Sequence, residues 1–382
     1  MKNDAPNTTT PHLMTFKLSA MGCHIQISLN ITKLHLQYSQ ATIDQQIALL
    51  TSDVQQRLTY WERIFSRFDE TSELMRLNHH TDQWTEASAE LFEVLQRAIH
   101  FVSKTEGLVT PTLLKSLWAA GYKQSFETLP KVSMPSAPVI SSNATSSVTS
   151  NATPNLQDAP ITNQASQHIV DIQLRTLAGG QHQIYLPAGI ALDLNGYVKG
   201  WCAMQLAEQI SQVHNWQLPC LVDMGGDMAI GVPKNQNVDK PITPIVWGVA
   251  IAKPCLIDGE QVQDEEDVAI LTLSSGAVAT SGQDYRRWWH EGRWQHHLIH
   301  PHYNRPVTSD VLTATVLATD TMTAEVYAKY CVLLGVKEAM TWLNKHHIAA
   351  ILIDTDNKVM ASPAIRLNLI QPNLVQPNLM AI

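Results

Sequence analysis

Four short segments of the chain carry residue types that could do chemistry at their spacing. The first is Leu192-Asp193-Leu194-Asn195-Gly196-Tyr197-Val198-Lys199-Gly200-Trp201, running into an amphipathic stretch over 203–210. A carboxylate after an extended run, then a glycine, then a lysine where a helix starts suits a phosphorylated ligand. Glycine lets backbone approach closely, helix N–H groups and the helix dipole favour an anion, and the lysine adds a positive point charge. The competing reading is an ordinary strand-to-helix turn with an exposed lysine, and spacing alone leaves both open. The second segment, Asp223-Met224-Gly225-Gly226-Asp227, reads first as a tight turn and second as a place where a flat ligand meets backbone.

The third segment runs from Ala279-Thr280-Ser281-Gly282 through Arg286 to five histidines, His290, His296, His297, His300 and His302. Histidines that alternate along a short strand point to opposite faces, which argues against zinc and for a single histidine as general base or ligand contact. In the fourth, Glu325 and Lys329 are four residues apart on a helical pattern. By itself that is an ordinary helix pair worth about 0.2–0.5 kcal/mol.

These residues need elements to hold them. An alternating strand is expected at 24–30, and apolar residues at 43, 47, 50, 54, 58, 61 and 65 line one face of a long helix. A second helix is expected at about 86–104, stopping at Gly107. Short β-branched or alternating runs follow near 183–193, 218–223, 245–252, 268–280 and 312–318. A helix carrying Val326, Tyr330, Leu333 and Leu334 ends at Gly335, before a strand at 350–353. Strands and helices mix without a regular βαβ period, so the expected class is α+β.

The chain has 382 residues, 45% hydrophobic and 16% charged, with net charge −8, which gives a core that needs no disulfide or metal staple. The acidic balance speaks against nucleic acid or an anionic membrane as partner. Five well-separated cysteines suggest neither a disulfide framework nor a zinc knuckle. No stretch reaches the roughly 20 apolar residues of a membrane span. The start shows no signal peptide or lipobox, so the expected compartment is the cytoplasm. Dinucleotide GxGxxG, P-loop, HExxH and GxSxG patterns are all missing. Residues 1–14 read as a loose tail, about 129–167 as a low-complexity insertion of Ser, Asn, Thr, Ala and Pro, and the QPNL-repeating end as a strap or tail.

Taken in order, the segments resemble the ApbE-type FAD:protein FMN transferases over about residues 15–345, with 346–382 a C-terminal strand and tail. The carrying pieces are Ala20-Met21-Gly22, Trp61-Glu62-Arg63-Ile64-Phe65-Ser66-Arg67-Phe68, Gly107-Leu108-Val109-Thr110-Pro111-Thr112, the Asp193–Gly200 segment, Gly225-Gly226, Ala279–Gly282, His297–Pro301 and Ala324-Glu325. The resemblance implies a mixed-sheet, T-fold-related α+β body, two-lobed but one functional unit. It implies FAD as substrate and transfer of its FMN half to a threonine hydroxyl of an acceptor protein with release of AMP. Hydrolysis of FAD to FMN and AMP, and an impaired FAD-binding protein, are the alternatives. It also implies His297 as the catalytic base and flavin-nucleotide contacts at Met21, Asp193, Lys199 and Leu298, with Ser66 and Arg67 walling the site. Mg²⁺ is implied at Glu325 and the Gly196 backbone, unless the Lys329 ammonium takes its place. The sequence departs from the family's usual Asp-Pro-x-Thr-Gly, which here is His300-Pro301-His302-Tyr303-Asn304. The common metal-binding Asp is Glu325, the Thr one turn later is Lys329, and an Asp after the lysine segment is Met204.

Overall fold

Alternation over 23–30 puts Ile25, Ile27 and Leu29 on one side of a strand, and burying that side anchors one half of a large sheet. The computed structural model describes residues 12–129, 169, 171–213, 215–234, 245–254 and 267–370. Apart from Leu129, the insertion expected at 129–167 lies outside these residues, as does the QPNL tail.

The main sheet has eight strands: β1 (Leu13–Ala20), β2 (Cys23–Asn30), β3 (Cys220–Met224), β4 (Asp227–Gly231), β5 (Gly276–Gly282), β6 (Val311–Ala318), β7 (Ala350–Asp354) and β8 (Val359–Ala361). Neighbours in the sheet follow chain order. The family resemblance implies a mixed sheet, whereas every ladder of the main sheet is antiparallel, each connection returning the chain to the end of the sheet it left. The tail read as 1–14 gives up its last two residues to β1, where Leu13 pairs with Asn30 and Met14 with Leu29.

Five helices matter for the site: α1 (Gln40–Phe65), α2 (Ala89–Lys104), α3 (Asn195–Glu208), α4 (Thr321–Leu334) and α5 (Val336–Lys345). In α1 the three-and-four spacing buries Ile43, Ile47, Leu50, Val54, Leu58, Trp61 and Phe65. Helix α2 starts three residues later than expected: Glu86 belongs to a short strand (Trp84–Ala87), and the Ser88 hydroxyl caps the helix by accepting from Leu91 N at 3.1 Å. Gly335, at φ +81°, ends α4 as expected. The chain then turns straight into α5, a helix the sequence analysis does not anticipate, where Asp310 accepts from Val336 N at 2.8 Å.

Side chains alternate across the sheet and so divide the core into two layers. Ala277 and Ala279 of β5 face Ala324 of α4, and these small residues let the helix lie close to the strand. Val278, Ile351 and Ile353 point the other way, against Val249, Ile251 and Leu271 of a small three-stranded sheet (Trp247–Ala252, Asp267–Leu273, Leu369–Ile370). Helix α4 is therefore enclosed, with Met322, Glu325, Val326 and Ala328 all buried. Helix α3 packs beside it, and its Trp201 meets Trp61 and Phe65 of α1 edge-on at 5.2 and 5.6 Å.

Candidate active site

Between the β1–β2 turn, the start of α3, the end of β5 and the loop before β6 lies a cavity of about 1150 Å³. Small-molecule sites are usually roughly 300–1,000 Å³, so this one suits a large ligand. Met21, Arg67, Asp193, Gly196, Lys199, His297, Leu298 and Lys329 line it. Glu325 sits one layer beneath, fully buried.

Each side chain is held for a local reason. Met21 and Gly22 form a two-residue hairpin turn between Ala20 and Cys23, both at positive φ (54° and 63°), the combination of a type I′ turn. Such a backbone strains methionine, and the Met21 N–H is tied down by the Glu62 carboxylate of α1. Asp193 accepts from Asn195 N at 3.0 Å, closing the entry to α3, while its own N–H donates to Pro111 O at 2.8 Å. Arg67 lies between the Phe68 and Tyr122 rings, its guanidinium carbon 4.3 and 4.1 Å from their centroids, with Nη1 donating to Tyr122 O at 2.9 Å. Its Nε is 3.8 Å from Asp193 Oδ1.

The centre is a four-charge cluster. The Lys199 ammonium pairs with Asp227 and is 3.7 Å from Glu325 Oε1. Lys329 Nζ donates to Glu325 Oε1 and to Gly196 O, both at 2.8 Å, and Gly200 N donates to Glu325 Oε2 at 3.0 Å. The Glu325–Lys329 pair is thus not the ordinary surface pair its spacing suggests, since the packing of α4 against α3 and the sheet buries Glu325 and leaves Lys329 with only 13% of its side chain exposed. Burial opposes ionisation of Glu325, but the Lys329 and Lys199 ammoniums outweigh it and hold the carboxyl below its usual range. Asp227 is driven the other way, by burial and by the neighbouring Glu325 charge. The Lys199 ammonium stays charged because Asp227 and Glu325 overcome its desolvation.

His297 lines the same cavity. Burial, with Arg286, His296 and the two lysines adding to it, keeps the His297 ring well below the ordinary imidazole pKa, hence neutral at pH 7. Three lining residues carry buried polar atoms with no hydrogen-bond partner: Arg67 Nε and Nη2, Tyr197 Oη and His297 Nδ1. Unpaired buried polar atoms are rare in folded proteins, and their gathering around one cavity fits a ligand that supplies the partners.

The sequence-selected residues come together with one exception. Ser66 does not line the cavity: it ends α1, its hydroxyl accepting from Phe68 N at 3.3 Å and its carbonyl from Ser72 Oγ at 2.6 Å. Gly225 and Gly226 make the β3–β4 turn, φ +68° and +94°, and line the cavity as well. Asp227 and Arg286 lie in the segments picked out from the sequence but were given no role there, and Tyr122 was in none of them. Arg286 lines the cavity and donates to Gly22 O at 3.0 Å, 264 residues away in the chain, a pairing no local pattern announces. The other histidines divide by environment: His296 is buried against Val307 O at 2.8 Å, while the rings of His300 and His302 stand 5.3 Å apart on the outer loop.

His296 gives a stability prediction. Burial depresses its pKa from 6.5 to about 4, so the folded state holds it neutral while the unfolded state takes up a proton below about pH 6.5. Its contribution is present above that pH and lost as pH falls toward 4, on the order of 3 kcal/mol in total. Denaturant titrations at pH 7.5 and 4.5 are expected to show the loss, and His296→Gln, which keeps a donor for Val307 O, to shrink it. An unchanged pH dependence in the variant would refute the assignment.

The oxygen donors implied for Mg²⁺ do not fit a divalent cation here. Both Glu325 oxygens and the Gly196 carbonyl already accept from N–H groups, and an ammonium stands where the metal would. Among the described residues no three His, Cys, Asp or Glu side chains converge on one point.

A model of the ApbE family matches residues 21–352, most of the chain. The chain belongs to the ApbE family. Its ApbE relatives include the FAD:protein FMN transferase of Haemophilus influenzae, 27% identical over 302 residues, spanning 76% of this chain and 75% of that protein. The Vibrio cholerae protein of the same name is 26% identical over 294 residues, 75% of this chain and 74% of its own. The ApbE fold is shared with a Thermotoga maritima ApbE protein (TM-score 0.68, 18% identity, 94% of this chain and 100% of that one) and a Vibrio cholerae flavin transferase ApbE (0.61, 21%, 94% and 100%). Among the described residues of this ApbE chain, no helix is long and apolar enough to cross a membrane.

Proposed function

We propose that this chain transfers the FMN half of FAD to a threonine hydroxyl of an acceptor protein, releasing AMP. The observation that carries the reading is a dinucleotide-sized cavity with two ammonium groups at its base and a neutral histidine on its wall, in a chain of the ApbE family. The relatives named FAD:protein FMN transferase support it.

Lys199 and Lys329 face the pyrophosphate and offset charge developing on its oxygens. The threonine oxygen forms a bond to the phosphorus bearing riboflavin, the bond from that phosphorus to the bridging oxygen breaks, and AMP leaves with that oxygen. The hydroxyl proton passes to the His297 imidazole, which is unprotonated and able to take it. Met21, Arg67, Asp193 and Leu298 wall the flavin nucleotide. The Glu325 carboxylate and Gly196 carbonyl implied for Mg²⁺ are engaged by Lys329. We also propose the cytoplasm as the compartment, since Cys23, Cys202, Cys220 and Cys331 are free thiols.

Incubation with FAD and a threonine-bearing candidate acceptor tests this. The expected result is a fluorescent acceptor band with AMP formed in equal amount. Free FMN and AMP without a labelled band would replace transfer by hydrolysis, and intact bound FAD would leave only a binding protein.

A further inference from the structure

Helices α3 and α4 meet through a matched pair of spacings. Gly196 and Gly200, four apart on α3, face Glu325 and Lys329, four apart on α4. A Cβ at position 200 would lie 2.8 Å from Glu325 Oε2 and 2.9 Å from Thr321 O, and one at 196 would lie 3.3 Å from Lys329 Cε and 3.4 Å from Nζ. The two glycines therefore make a slot that only the absence of side chains keeps open. Into it α4 delivers a carboxylate and, one turn on, an ammonium.

The slot holds the kind of donors a hard divalent cation takes, a carboxylate oxygen and a backbone carbonyl. Lys329 Nζ bonds both at 2.8 Å. An ammonium has three N–H donors, and two are spent here. The third is left for a ligand, because Lys329 also lines the cavity. A divalent ion brought to the same oxygens would stand against the Lys329 charge, with a second ammonium, Lys199 Nζ, 3.7 Å from the same Glu325 Oε1.

We propose that Lys329 is a built-in cation replacing a divalent metal, so that this chain grips the FAD pyrophosphate in the absence of Mg²⁺. The inference rests on the functional reading above and specifies what meets the phosphates. Glu325 then acts as a positioning residue, aiming the ammonium rather than ligating an ion.

The test is FAD affinity, read by quenching of flavin fluorescence on the full chain, in EDTA and in excess Mg²⁺. Wild type is expected to bind equally in both. Lys329→Thr removes the ammonium and is expected to bind about tenfold or more weakly in EDTA, a typical loss for one charged contact, and to regain affinity with Mg²⁺. Lys329→Arg keeps a cation and is expected to stay indifferent to Mg²⁺. Wild-type binding that appears only with Mg²⁺ would overturn the proposal while leaving FAD as the ligand. Wild-type binding in neither condition would overturn it together with the functional reading. Should Lys329→Thr fail to fold, as judged by circular dichroism, the wild-type and Lys329→Arg measurements carry the same decision. A folded Lys329→Thr that binds FAD in EDTA as wild type does would also overturn it.

Discussion

Alanine at position 297 is expected to slow flavin transfer by about 10²–10⁴-fold, the usual contribution of a general base, with FAD affinity changed little. His297 lines the cavity and is held neutral there by burial and four neighbouring cationic or imidazole groups. It can thus accept the hydroxyl proton without first losing one. In the proposed function FAD is gripped elsewhere, by the ammonium groups and the cavity walls, so binding and turnover are expected to separate in this variant. The acid limb of the wild-type kcat profile is expected below the ordinary histidine range, in line with the depressed pKa. Transfer at the wild-type rate in His297→Ala, measured by in-gel flavin fluorescence, would remove this histidine from the chemistry.

Lys199→Met is expected to cost about 3–5 kcal/mol of stability, the penalty for stripping one partner from a buried ion pair, and to weaken FAD binding as well. Asp227, 1% exposed, loses the ammonium it contacts, and Glu325 loses the second of its two cations. Lys329 already donates to Glu325 and Gly196 O. Urea titration checks the stability. A double variant, Lys199→Met with Asp227→Asn, is expected to recover part of it because the orphaned charge is gone, yet not to recover FAD binding. A single variant as stable as wild type would mean that water reaches the cluster.

The sequence carried the elements better than the contacts between them. The apolar spacing of α1, the glycine at the end of α4 and the alternation in β2 are local patterns, and local patterns survive folding. Strand β1 went unread because its half-buried face, Met14, Phe16, Leu18 and Ala20, lies at a sheet edge beside a polar start. Helix α5 went unread because Gly335 is a true stop for α4 and gave no sign that another helix begins at once. Lys199, Glu325 and Lys329 were identifiable one by one, but their meeting depends on α3 lying against α4. Asp227 as the partner of Lys199 has no periodic signature at all. Ser66 and Arg67 were implied together by the family resemblance, but the end of α1 turns Arg67 toward the cavity and leaves Ser66 as the helix cap.

The meeting of α3 and α4 also sets when the molecule becomes able to recognise anything. Gly200 and Glu325 are 125 residues apart, and bringing such distant positions together costs a flexible chain on the order of 4 kcal/mol in closure entropy. The packing of both helices on β3 through β6 is what offsets that cost in the folded chain. The pairing of the two ammoniums through Glu325 therefore exists only once α4 lies against α3, and a chain ending before α4 would keep Lys199 but lack Glu325 and Lys329. Possession of the full anion site is then the mark of a chain in which both helices are in place.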